Sequence, residues 1–143
     1  MAFGPDIPPI QAHLCVKGGS EAIAFYEKAF GATTTFKHMA EDGKRVMHAN
    51  LALFGGEVML HDEFPEFGGD VLSPLTRGGA SMAININMKA PSDTDAAIER
   101  AVTAGATLVL PAQDVFWGSR YGKVRDPFGH VWEFNAPLAP QAA

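Results

Sequence analysis

The stretch YGKVRDPFGHVWEF, residues 121–134, holds a turn signal and a strand signal back to back. Asp126-Pro127-Phe128-Gly129 fits a type I turn, with a side-chain acceptor at the first position, proline at the second and glycine at the fourth. His130-Val131-Trp132-Glu133-Phe134 reads as a strand from its aromatic and β-branched content. Trp132 and Phe134 share one face, and His130 has no clear side. Glu133 points to the opposite face by the period of two. A carboxylate near an apolar interior is costly unless it is paired, hydrogen-bonded or metal-bound. Glu133 is therefore the first candidate functional residue.

The 143 residues suffice for one well-buried domain or two tightly associated halves. Apolar residues make up 47% and charged residues 19%, which excludes overall disorder. The net charge of −5 comes without a basic run, so neither nucleic acid nor an anionic membrane is an expected partner. The single cysteine, Cys15, excludes an internal disulfide framework and a cysteine-rich zinc site. No apolar run approaches membrane-spanning length, and the Pro-containing N-terminus lacks the charged and apolar regions of a signal peptide. A soluble cytoplasmic protein is the expectation.

Residues 1–9 form a Pro-containing lead-in. Ile10, Ala12, Leu14 and Val16 then alternate with Gln11, His13, Cys15 and Lys17, the pattern of a strand with one apolar face. Ser20 is a candidate N-cap for a helix carrying Ile23, Tyr26 and Phe30, with Gly31 at its end. Strands are expected over 33–39, 45–54 and 57–61, joined by turns at Asp42-Gly43 and Gly55-Gly56. Residues 63–79, rich in glycine and proline, read as a linker and mobile loop. A strand over 81–88 follows, then a helix opened by Pro91 and closed by Gly105. Further strands are expected over 107–110, 115–123 and 130–135.

The order of elements occurs twice. Ala29-Phe30-Gly31-Ala32 corresponds to Thr103-Ala104-Gly105-Ala106 at an offset of 74, which also sets Gly55 on Gly129 and Met59 on Glu133. The expected fold is α+β, two βαβββ modules over 10–62 and 80–137 within one domain spanning the chain. Their inner sheet faces would line a cleft.

This repeat, together with DPFGHVWEF, resembles the vicinal oxygen chelate superfamily, which includes glyoxalase I, bleomycin-resistance proteins and extradiol dioxygenases. HLCVKGGSEAIAFYEKAFGA, VMHANLALFGGEVMLHDE and WGSRYGKVRDPFGHVWEF are similar to its PhnB-like branch. The resemblance implies a cleft in which four side chains hold a divalent metal, one from the first and one from the fourth strand of each module. Glu133 matches the fourth-strand position of the second module, and Met59 its counterpart in the first. Gln11 and Ser81 match the first-strand positions. Methionine does not ligate a hard or borderline cation, so this set is incomplete. A displaced set of His13, His61 and Glu133 suits zinc, nickel, manganese or iron. A homodimer is also implied.

Several residues carry more than one reading. Glu133 is either a ligand or general base, or a carboxylate bonded to Gln11, His13 or a backbone amide. His13 and His48 read as pocket histidines that hydrogen-bond or ligate. Cys15 shares the face of His13 and reads as a pocket-lining thiol. Trp117 and Tyr121, placed on the seventh strand, either stack on a planar ligand or brace the hairpin. Arg120 is either a solvated edge residue or an anchor for a substrate anion.

Two functions stay open at this point. One is a glyoxalase-type lyase or isomerase in which a metal polarises substrate oxygens while Glu133 moves a proton. The other is a metal-free protein that binds and sequesters a small molecule, as bleomycin-resistance relatives do.

Overall fold

The computed structural model describes residues 7–139, so the first part of the Pro-containing lead-in lies outside the described residues. The chain divides into two compact units, Met1–Gly79 and Ala80–Ala143. In the first unit the order is β1 (Ala12–Val16), α1 (Gly19–Phe30), β2 (Thr33–Met39), β3 (Val46–Leu53) and β4 (Gly56–Asp62). The sheet order is β1-β4-β3-β2, with β1 parallel to β4. A parallel neighbour needs a crossover, which α1, β2 and β3 supply together.

Leu14, Val16, Ala49, Leu51 and Leu60 are buried, as are Ala22, Ile23, Tyr26 and Phe30 of α1, so one sheet face packs on the helix. Ile10, expected to extend that apolar face, precedes β1 and is 88% exposed. The segment expected as a plain linker contains a 3-10 turn (Pro65–Phe67) and α2 (Pro74–Arg77). Ser73 caps α2 by accepting from the Thr76 amide.

The expected Ser20 cap is not used. α1 begins at Gly19, after Gly18 in the left-handed region at φ 101° and without a side-chain cap of its own. The cap comes from the far end of β4: Asp62 Oδ1 accepts from the Gly18 and Gly19 amides at 2.9 Å. Its Oδ2 accepts from the Val46 amide at 2.7 Å. A Cβ on Gly19 would lie 2.9 Å from Val46 Cβ, so only glycine fits under this carboxylate. The β3–β4 turn centres on Phe54 and Gly55, both at positive φ, one residue earlier than the expected Gly55-Gly56.

In the second unit β5 (Ala83–Asn87), α3 (Pro91–Ala104), β6 (Thr107–Val115), β7 (Ser119–Arg125) and β8 (Val131–Pro137) repeat the plan. The sheet order is β5-β8-β7-β6, with β5 parallel to β8. β6 runs further than expected because register shifts between Leu108 and Gln113 accommodate Pro111 on this edge strand. Phe116 and Trp117 therefore lie in the turn before β7 and not on the seventh strand. Val124, Trp132, Phe134 and Ala136 form the buried sheet face against Ile98 and Ala101 of α3.

The Asp126–Gly129 turn forms as expected, closed by Gly129 N–H donating to Asp126 O at 3.0 Å. Asp126 Oδ1 accepts from the Phe128 and His130 amides at 2.8 and 3.0 Å, and Oδ2 accepts from Trp132 Nε1 at 2.9 Å. The turn and the strand after it are held by one carboxylate.

Candidate functional site

Each sheet turns one face to its own helix. The candidate residues that stand on strands lie on the other face. In the first unit the strand register pairs His13 with Met59 and Cys15 with His61 across β1 and β4, and Met59 with Asn50 across β4 and β3. The His13 ring meets His61 edge to face at 4.7 Å between centroids and His48 at 5.4 Å. The structure thus brings three of the candidate histidines together.

Their hydrogen bonds fix their roles. Asn50 Nδ2 donates to Glu57 Oε1, which leaves Asn50 Oδ1 to accept from His48 Nε2 at 2.7 Å. His61 Nδ1 donates to the Asp62 carbonyl at 2.6 Å, so its Nε2 is the open acceptor. Burial, then the neighbouring His61 and His48, pushes the His13 pKa down to about 4. His13 is neutral at pH 7. Burial, then the charges of Glu63 and Asp62, pushes the Cys15 thiol up to about 11, so it is protonated and a poor nucleophile. Gln11 Nε2 is buried without a hydrogen-bond partner.

In the second unit the register sets Asn85 beside Glu133 and Asn87 beside Asn135 on one flank, with Lys123 and Tyr121 on the other. Tyr121 Oη donates to Glu133 Oε2 at 2.5 Å. Burial, and then Glu133, pushes the Tyr121 pKa up to about 12, which keeps its hydroxyl a donor. Trp117 meets Tyr121 edge to face at 5.4 Å, and Lys123 Nζ stands over the Tyr121 ring at 5.7 Å. Asn135 Oδ1 is a buried acceptor without a donor. Arg120 is committed to Asp95 and Asp114, with N–O distances of 2.9–3.0 Å.

The register revises the positions matched from the repeat. α3 has 14 residues and α1 has 12, so the offset between units is 72 ahead of the helices and 74 behind them. Equivalent first-strand residues are therefore His13, beside Met59, and Asn85, beside Glu133. Ser81 is exposed and precedes β5, so it does not stand on the fifth strand, while Gln11 precedes β1. Asn85 is the residue that sequence reasoning missed. Only the helix lengths could have revealed it.

The same βαβββ plan appears in known proteins. The model of the Glyoxalase/Bleomycin resistance protein/Dioxygenase superfamily matches residues 9–134. The chain belongs to this superfamily. An uncharacterized protein of Mycobacterium bovis is 41% identical over 132 residues, covering 92% of this chain and 84% of that one. Among solved structures, TioX from Micromonospora sp. ML1 is 27% identical with a TM-score of 0.66, covering 94% of this chain and 100% of that chain. A glyoxalase-related enzyme from Fulvimarina pelagi is 25% identical with a TM-score of 0.68, covering 90% and 88%. A PhnB protein from Bacillus cereus, at 18% identity and a TM-score of 0.67 over 90% of this chain and 99% of that one, shares the fold.

Superfamily members often hold a divalent metal. Among the described residues, no three His, Cys, Asp or Glu side chains are placed to hold one ion. The donor chemistry agrees: Met59 is a thioether, Asn85 an amide, and Tyr121 occupies one oxygen of Glu133. These residues do not fit the superfamily's usual metal site. No described helix is long and apolar enough to cross a membrane.

Proposed function

We propose that this superfamily member binds a small molecule without a metal, working as a cytoplasmic homodimer. The observation that carries this reading is the register. Of the four side chains at the positions equivalent to a metal site, only His13 and Glu133 are good ligands for such a cation. What remains suits recognition by hydrogen bonds. The first unit offers neutral His13 and the open acceptor of His61, and the second offers Glu133 and Asn135, with Trp117 and Tyr121 as aromatic surface. Cys15, His48, Met59 and Gln11 complete the first unit's face in this reading.

A second reading, a lyase or isomerase of the glyoxalase type, is favoured by one observation. The short Tyr121–Glu133 hydrogen bond sets a proton donor against a carboxylate, the elements of acid–base chemistry. The test is metal analysis of protein purified without chelator, followed by a calorimetric ligand screen with and without EDTA. Substoichiometric metal and EDTA-insensitive binding are expected. Near-stoichiometric zinc, nickel, manganese or iron that is lost in Glu133→Gln would overturn the binding reading in favour of the metal set His13, His61 and Glu133. Light scattering at twice the chain mass checks the homodimer.

A further inference from the structure

A cavity lies apart from the histidine cluster, between the β2–β3 turn and the segment after β4. It measures about 440 Å³, within the range of small-molecule sites. Its apolar wall is Met39, Met47, Phe64 and Phe67. Phe64 and Phe67 stack at 5.7 Å and 23°, and Phe67 is 70% exposed. Thioethers and ring faces make an adaptable surface for an apolar body.

The charges decide which head group such a body can carry. Arg45 is the cavity's one guanidinium, and it is already committed. Its Nε donates to Asp42 Oδ2 at 2.8 Å, and Nη1 and Nη2 donate to the two Glu66 oxygens at 3.1 and 2.6 Å. Nη1 also donates to the Glu63 carbonyl at 3.1 Å, and the guanidinium lies over the Phe64 ring at 4.3 Å. An anion would have to displace two carboxylates to reach it. Asp42, Glu66 and Glu41 set three carboxylates against that one guanidinium and the His38 imidazole, and Glu41 takes part in none of the ion pairs of the described residues. The cavity thus carries surplus negative charge beside open aromatic surface. Arg45 over Phe64 already shows a ring here taking a cation.

We infer that this cavity is a binding site for an organic cation, an ammonium or amidinium on an apolar or aromatic body. Glu41 faces the charge and Phe67 the body. The inference is independent of the function proposed above, because it uses none of the same side chains.

Three probes of one shape test it: 3-phenylpropylammonium, 3-phenylpropanol and 3-phenylpropanoate, titrated into the full chain and followed by amide NMR shifts. The ammonium is expected to shift residues 39–47 and 64–67, with the alcohol at least about tenfold weaker and the carboxylate without effect. Glu41→Gln, an exposed substitution in a turn, is expected to weaken the ammonium several-fold and flatten its salt dependence. Phe67→Ala is expected to weaken the ammonium and the alcohol alike. His13→Ala is expected to leave all three titrations unchanged, which separates this cavity from the histidine face. Equal shifts from the three probes, no binding of the ammonium, or shifts centred on His13 and His61 would overturn the assignment.

Discussion

Replacing Asp126 tests whether one carboxylate holds the turn that leads into β8. Asp126 is 3% exposed and accepts from two backbone amides and the indole of Trp132, which is fully buried. Asp126→Ala removes the acceptor from three donors in a site that water reaches poorly. Each donor left unsatisfied costs about 1–3 kcal/mol, partly relieved by relaxation, so a loss of about 3–5 kcal/mol is expected. Asp126→Asn is more selective. Its Oδ1 still serves Phe128 and His130, but Nδ2–H now faces Trp132 Nε1–H, donor against donor. That change should cost about 2–3 kcal/mol. Trp132→Phe removes the opposing donor, so the Asn substitution should cost about 1–2 kcal/mol less in that background. Urea unfolding followed by far-UV circular dichroism measures all four corners of the cycle. A wild-type-like Asp126→Asn, or an equal loss with and without the Trp132 indole, would refute the account of the turn.

Three further outcomes follow from the geometry. Adding a methyl at Gly122 sets a Cβ 3.0 Å from Ala112 N and from Leu110 O, and against Ile98 Cδ1. Gly122→Ala should therefore destabilise by about 1–3 kcal/mol in the same unfolding assay. Because the His13 pKa is lowered to about 4, the unfolded chain takes up this proton first as pH falls below 6.5. The His13 contribution to stability is therefore present above pH 6.5 and lost as pH falls towards 4. NMR titration of the ring should show the low midpoint, and His61→Ala should raise it. Tyr121, pushed up to about 12, holds its proton after the unfolded chain has released it, so its contribution is lost as pH rises above 10. Ultraviolet titration of tyrosinate should show that late step, with Glu133→Gln moving it down.

The pattern of strands and helices was legible because the alternation and the glycine stops are local. Gly31 and Gly105 end their helices where the periodicity ends. What sequence could not show was set by distant partners. Ser20 looked like a cap, yet Asp62, 43 positions beyond Gly19, supplies the acceptors. Ser81 looked like a first-strand site residue because the alternation was read as starting there, whereas β5 begins two residues later at Ala83. Trp117 looked like a strand residue because the bulged course of β6 cannot be read from a run broken by Pro111. The histidines His13, His48 and His61 were recognisable as site candidates, and the strand register makes them neighbours. Their separate roles come from Asn50 and the Asp62 carbonyl, which carry no sequence signal.

The two units keep the same packing and differ in chemistry. Each sheet buries an apolar face against its own helix, and substitutions there would open cavities costing about 2–5 kcal/mol. The opposite faces are free of that constraint, and they differ in residue type. At equivalent positions the first unit carries His13 and Met59 and the second Asn85 and Glu133. A two-fold repeat of one ligand set would have required the same residue types in both. Instead the first face is built from neutral His13, two further imidazoles and a thioether, and the second from a carboxylate bonded to Tyr121. Each unit thus offers its own chemistry on its free face. Glu133 acts with Tyr121 as a pair, so Tyr121→Phe should alter whatever Glu133 does without changing the fold.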